Sequence, residues 1–313
     1  GGTLTTGSTN NSIGDSATDK IRLITVNSAG TGSNTVTIDA GTGTIFADSI
    51  VYGDTTGSST IQLGAGTNVD SAITTTTDGK GIFAINANGS NVTIDAAIGT
   101  SSKELATVNI DDTATGTQSV TFTSDIHAAN VNFLGGTAAT TAKVNFGTTV
   151  DGTVTVTTDG EGILSIDGNG TNTGDVTISD SIGEATNDAL GTLNHTAGID
   201  GSVLTLSGTD NFIDTFNIGA GQVELNGKLT IQSQILFNAS AGSTGKITVA
   251  DGKNLTTAGT NVNASEAGEG TIEFAGDSLV TGELGEEGAG NELALITINA
   301  GSVETTANVS ATT

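Results

Sequence analysis

The chain has 313 residues, among them 46 Gly, one Tyr and nine Phe but no Pro, Cys, Met or Trp, and a formal charge of −26 from 34 acidic and eight basic residues. Only one of the eight is an arginine, Arg22, so the cationic groups that neutralise phosphate are missing, and nucleic acid and anionic membrane surfaces are excluded as partners. The absence of cysteine rules out disulfides, thiol catalysis and Cys-based zinc sites, and no run approaches the ~20 apolar residues of a membrane span.

In chain order the predicted elements are short strands. Thr35–Ile38 (TVTI), Ser119–Phe122 (SVTF), Thr153–Thr158 (TVTVTT) and Asp175–Ile178 (DVTI) alternate aliphatic residues with Thr or Asp. Val and Thr are β-branched, stiff at χ1 and suited to a pleated surface. Asp-Gly, Asn-Gly and Gly-Thr-Gly between the strands supply the positive φ of tight turns. Helical periodicity is absent. Apolar residues make up 35% of the chain but aromatics only 3%, a pattern that predicts a thin aliphatic core rather than several broad ones.

Two signatures recur. The first is TTDGKGIFAIN near Thr76–Asn86 and TTDGEGILSID at Thr157–Asp167, with a degenerate third form, GEGTIEF, from Gly268. The second is an Ile-Gly or Leu-Gly followed by a polar stretch and an aliphatic strand. Its anchors are Ile13, Ile98, Ile182 and Leu284, spaced 85, 84 and 102 residues apart. Read on these anchors, residues 1–313 form a single elongated repeat domain with units at about 13–97, 98–181, 182–283 and a partial 284–313.

Two all-β architectures fit strands of this length and spacing: a string of tandem β-sandwiches, or a β-solenoid whose rungs stack. Sandwiches normally carry bulky core residues and edge or linker prolines, which this chain lacks. The expectation is therefore an elongated, right-handed parallel β-helix-like solenoid with rungs of ~20–25 residues. Asp78-Gly79 and Asp159-Gly160 are its corners, with the pairs Ile82/Ile85 and Ile163/Ile166 pointing inward.

The text DGEGILSIDGNGTNTGDVTISDSIG, continuing to LGTLN, resembles the passenger regions of bacterial autotransporter surface proteins, above all the rickettsial outer-membrane surface antigens. The resemblance implies an extracellular, cell-surface β-helix acting as an adhesin, surface-layer or fibre segment, with self-association and a host or neighbouring-cell surface ligand as partners. The membrane barrel of that family has no counterpart here. The chain begins Gly-Gly-Thr without Met or signal peptide and reads as a processed or excised piece.

Candidate chemistry is sparse, and catalytic and cofactor-binding residues are expected to be none. Gly276-Asp277-Ser278-Leu279 spells the nucleophile block of a serine esterase family, but no histidine follows it. Without a base the hydroxyl is a poor nucleophile. His127 and His195 stand at non-equivalent places and are expected to be exposed or to cap rungs. Asp111-Asp112 and Glu286-Glu287 are adjacent pairs that a strand points to opposite faces, unlike facing glycosidase acids. No calcium motif is present, so metal ligands stay unknown and Ca²⁺ is expected only as a loose counter-ion at acidic corners. Ice-binding Thr-x-Thr ladders occur in too few rungs for a regular array. The expected function is structural rather than enzymatic, with a tandem β-sandwich adhesin and a carbohydrate-active β-helix enzyme as the alternatives.

Overall fold

A computed structural model describes residues 2–5, 12–27, 32–88, 90–111, 118–135, 140–166, 174–196, 202–238, 245–257, 262–266, 268–286 and 291–312. Among them there is no α-helix, and every pairing between named strands is parallel. Parallel strands joined by short corners are a β-solenoid; tandem sandwiches would show antiparallel hairpins. The chain divides into two compact units, residues 1–144 with 148–158, and residues 145–147 with 159–313.

In the first unit one column of strands comprises Gly2–Thr5, Ser33–Asp39, Ser58–Leu63, Ile82–Asn86 and Leu105–Asp111, followed by the later halves of Ile126–Leu134 and Thr149–Val156. Its inward row runs Val36, Ile61, Phe83, Val108, Val131, Val154, in steps of 22 to 25 residues. From Ile61 onward every member is buried. The strand Thr44–Tyr52 shows how one long strand serves two other columns. It breaks register between Phe46 and Ser49, and a short strand, Val92–Ile94, continues only the column of its first half. At the break Ala47 is fully buried, and its amide donates to Ser71 Oγ (2.7 Å), which in turn donates to the Ile45 carbonyl (3.2 Å). A small side chain and one buried hydroxyl thus let the chain turn a corner without orphaning a backbone amide.

The second unit repeats the scheme. One inward row runs Leu193, Phe216, Ile235, Val262, Leu284, Val309 and a second Leu204, Val223, Ile247, Ile272, Ile296. Stacking like on like buries Leu193, Phe216, Ile235, Val262, Leu204, Val223, Ile247 and Ile272 completely. Each fully buried aliphatic side chain is worth about 1.5–3 kcal/mol relative to leaving it in water.

The inward assignment of two isoleucines needs correction. In Ile82–Asn86 the buried residues are Phe83 and Ile85, and in Ile163–Ile166 they are Leu164 and Ile166; Ile82 and Ile163 are half-buried on the opposite face. Residues three apart on a strand cannot share a face, because side chains alternate with a period of two.

The sequence repeat and the rung are different lengths, and they slip past each other. Ile13 bridges to Ile45 in the first half of its partner strand, whereas Ile98 bridges to Ile73 in the second half of the next strand, Asn68–Thr75. In the second unit Ile182 bridges to Asn211, and Leu284 to Val262 and Val309 in another column. Within each unit, therefore, the interval from one anchor to the next is not a whole number of rungs, and the motif lands on a different column.

Candidate functional site

The recurring residues are the first place to look for chemistry, and each is occupied by a contact between rungs. The Glu104 amide donates to Asp78 Oδ1 (2.9 Å), while the Gly79 amide donates to the Glu104 carbonyl (3.0 Å). In the second copy the Ala189 amide donates to Asp159 Oδ1 (3.0 Å) and the Gly160 amide to the Ala189 carbonyl (3.1 Å). The degenerate copy keeps the backbone half, Gly268 amide to Glu292 carbonyl at 3.0 Å. Gly79, Gly160 and Gly268 have φ of 67°, 74° and 85°, which only glycine adopts readily. Both Asp-Gly pairs are therefore corners, as expected.

The Ile-Gly anchors are the other half of the same joint. Ile13, Ile98, Ile182 and Leu284 are all buried, and their carbonyls accept the amides of Phe46, His127, Phe212 and Ser310 at 2.6–2.7 Å. The glycines that follow have φ of 85°, 68°, 69° and 74°, and a Cβ on them would lie 2.4, 2.1, 2.7 and 2.1 Å from the Phe46, His127, Phe212 and Ser310 carbonyl oxygens. Beyond Gly14, Gly99 and Gly183 a small polar turn closes on itself, for example Thr100 and Lys103, which exchange two backbone hydrogen bonds of 3.0 Å. The turn that starts at Ile98 ends at Glu104, and the one that starts at Ile182 ends at Ala189. These exit residues are the ones the Asp78 and Asp159 corners hold.

The same device appears away from the repeats. Asp125, Asp175, Asp251 and Asp277 accept the amides of Thr149, Val203, Asp277 and Ser302 at 2.7–3.1 Å, each from the next rung. Acidity at the corners is thereby consumed in satisfying backbone donors.

The esterase-like serine is held the same way. Asp277 is engaged by Ser302, and Ser278 is buried, its Oγ without a partner among the described residues. Among the described residues no base is hydrogen-bonded to this hydroxyl, and a serine hydroxyl is a weak nucleophile without one. His127 is mostly buried, its Nδ1 3.0 Å from Asp151 Oδ2. His195 departs from expectation: it is fully buried, edge-on to Phe146 with ring centroids 6.2 Å apart, and neither ring nitrogen has a hydrogen-bond partner among the described residues. Burial lowers its pKa to about 4, against a smaller opposing pull from the nearby backbone of Gln222 and Ser202. A histidine in an apolar neighbourhood carries no sequence mark that separates it from an exposed one.

Asp112 and Glu287 lie outside the described residues. Asp111 has its pKa raised by burial, and its Oδ1 is buried without a partner among the described residues. Glu286 accepts a hydrogen bond from Asn291 Nδ2 (3.4 Å). Asp214 is raised by burial and then by the charge of Asp159, whereas Glu273 is lowered by the Lys246 ammonium, which outweighs its slight burial, and by the Asn299 amide. Among the described residues no three His, Cys, Asp or Glu side chains converge on a metal position, and no helix is long and apolar enough to cross a membrane.

Sequence reasoning missed one member of the joint. Tyr52, Phe133 and Phe237 are fully buried aromatics whose carbonyls accept the amides of Thr76, Thr157 and Ser265, each three residues before a corner glycine. A Cβ on Gly81 or Gly270 would strike the Tyr52 or Phe237 ring at 2.6 or 2.3 Å. The signal was available, since these aromatics stand 27, 27 and 31 residues before Gly79, Gly160 and Gly268.

No protein-family model, curated protein or solved structure matches the chain.

Proposed function

We propose that this protein is a structural, extracellular β-solenoid displayed at a cell surface, as an adhesin, surface-layer or fibre segment of the autotransporter-passenger kind that its sequence resembles. One observation carries the reading: the residues that recur along the chain are spent on stacking rungs, through corner aspartates, corner glycines and buried Ile or Leu anchors. A repeat maintained for catalysis would instead converge reactive groups on a cleft. The strong negative charge keeps such a surface soluble and sets its attraction for cations.

Self-association belongs to the same proposal. Leu4 pairs with the inward Ile38 and is 48% exposed, while Ile298 and Val309 pair with the inward Phe274 and Leu284 and are 52% and 48% exposed. Such half-covered apolar positions accept another rung, whether from more of the same chain or from a second copy. Immunogold labelling of intact cells and negative-stain images of the purified chain test the proposal. Surface label together with filaments or ordered sheets supports it; label confined to the cell interior overturns it.

A further inference from the structure

In-register pairing builds rows of polar side chains on the outward face of the first unit. One row runs Thr37, Gln62, Ala84, Asn109, Asn132, Thr155. Its upper part is a hydrogen-bonded ladder in which Asn132 Nδ2 donates to Asn109 Oδ1 (3.1 Å) and the Thr155 hydroxyl donates to Asn132 Oδ1. At Ala84 the ladder stops, because a methyl group offers Asn109 no acceptor. The neighbouring row is Asn86, Asp111, Leu134.

Where the ladder stops, a groove of about 200 Å³ opens, bordered by Thr35, Thr60, Gln62, Asn86 and Asp111 over the Ala84 floor. Leu134 supplies an apolar wall. These residues come from five consecutive strands of one column, a run of roughly 19 Å at about 4.8 Å per rung. Asp111 is the unexplained member. Its Oδ1 is buried with no donor among the described residues, and burial raises its pKa. A buried acceptor left unpaired is unfavourable by about 1–3 kcal/mol, more for a charged group. That oxygen is closed to solvent, so a ligand in the groove meets the Asp111 carboxylate through the part of it that lines the groove.

We propose that this groove binds a neutral, hydroxyl-rich glycan in extended form, with a sugar hydroxyl donating to Asp111 and further hydroxyls pairing with the amides of Gln62 and Asn86 and the hydroxyls of Thr35 and Thr60. The face offers acceptors, amides and hydroxyls and, among the described residues, no cationic side chain along the groove, so acidic polymers are disfavoured, and more so by the overall charge of −26. It lies on the pleated face rather than along a sheet edge, so it presents no open backbone ladder for a peptide strand to join. An extended glycan advances by a step close to the rung spacing, which lets successive sugars meet successive rungs. The inference rests on the adhesive reading above and gives it a ligand class.

The test is affinity electrophoresis of the full chain through gels containing laminarin, mannan or a soluble galactan, with titration calorimetry on any polysaccharide that retards it. The proposal expects retardation by at least one of them. Ala84→Leu, which fills the floor, and Asp111→Asn, which blunts the acceptor, should each weaken binding about tenfold, equivalent to 1.4 kcal/mol. Both variants should keep the wild-type far-UV spectrum, and Ser278→Ala, in the other unit, should bind as wild type. No retardation by any polysaccharide overturns the groove, as does equal retardation of wild type and Ala84→Leu. Cell binding by the wild-type chain, measured in parallel, separates the two readings. Cells bound equally by wild type and Ala84→Leu leave the adhesive reading standing and overturn the glycan groove; a glycan bound through the groove without any cell binding does the reverse.

Discussion

The carboxylate of Asp159 receives the backbone amide of Ala189, thirty residues later, at 3.0 Å, and Asp78 receives that of Glu104 at 2.9 Å. The two copies of the Thr-Thr-Asp-Gly stretch thus form a duplicated staple between rungs. Replacing Asp159 by Ala removes the acceptor and should lower the stability of the second unit by about 1 kcal/mol, the usual net worth of such a bond. Asp159→Asn keeps a side-chain oxygen in place and should lose less than half of that. Urea unfolding followed by far-UV circular dichroism reads both values. Equal losses for the two variants would mean that charge, not the hydrogen bond, matters at this corner.

Glycine requirements separate the corners from the anchors. At Gly79 φ is 67° but a Cβ would meet nothing within 4 Å. Gly79→Ala should therefore lose only the left-handed backbone preference, about 1–2 kcal/mol. At Gly99 φ is 68° and a Cβ would sit 2.1 Å from the His127 carbonyl oxygen. Gly99→Ala adds a clash with backbone that cannot swing aside, and should lose a further ~1–3 kcal/mol. Thermal melts of the two variants side by side check the order. A Gly79→Ala chain that melts below Gly99→Ala would contradict the close packing of the anchor.

Much of this architecture was legible in the letters, and the errors have physical causes. The alternation of Val or Ile with Thr, the glycine punctuation and the missing proline and tryptophan led to parallel, stacked rungs. Face assignment failed at Ile163 because the eye follows isoleucine, whereas the pleat selects by parity, and Leu164 and Ile166 are the inward pair. The repeat misled in another way. It marks where joints occur, while the rung is set by pairing register, and the two periods differ, as the different columns of Ile13 and Ile98 show. Neither the groove at Ala84 nor the burial of His195 is written in any local motif. Both arise from residues more than twenty positions apart in sequence that stacking makes neighbours.

The parity rule gives its own measurement. Leu164 is 3% exposed, and Leu164→Ala should destabilise by about 2–5 kcal/mol through lost burial and the void left behind. Ile163→Thr, on the half-buried outer face, exchanges one β-branched residue for another and should change stability by under about 1 kcal/mol. If the two substitutions are equally damaging by chemical denaturation, the inward face of that strand has been assigned wrongly.

His195 ties the stability of the second unit to pH. In the folded state its pKa is lowered to about 4 by burial, while in the unfolded chain it takes the ordinary value near 6.5. Above pH ~6.5 the ring is neutral in both states and contributes nothing to the pH dependence. As the pH falls through 6.5 the unfolded chain binds a proton that the folded chain refuses, so stability is lost progressively until the folded ring also protonates near pH 4. The full effect across that window is about 3 kcal/mol. Carboxylates in the same unit also titrate in acid, so the measurement is a difference. Unfolding free energies of wild type and His195→Leu should diverge between pH 7 and pH 4, the variant becoming relatively more stable by about 3 kcal/mol at the acid end. Hydrogen exchange should localise the wild-type loss to the strand Leu190–His195 and to Asp210–Ile218, which pairs with it. A constant difference between the two proteins over this range would show that the ring is already solvated, and that the apolar seat against Phe146 is open to water.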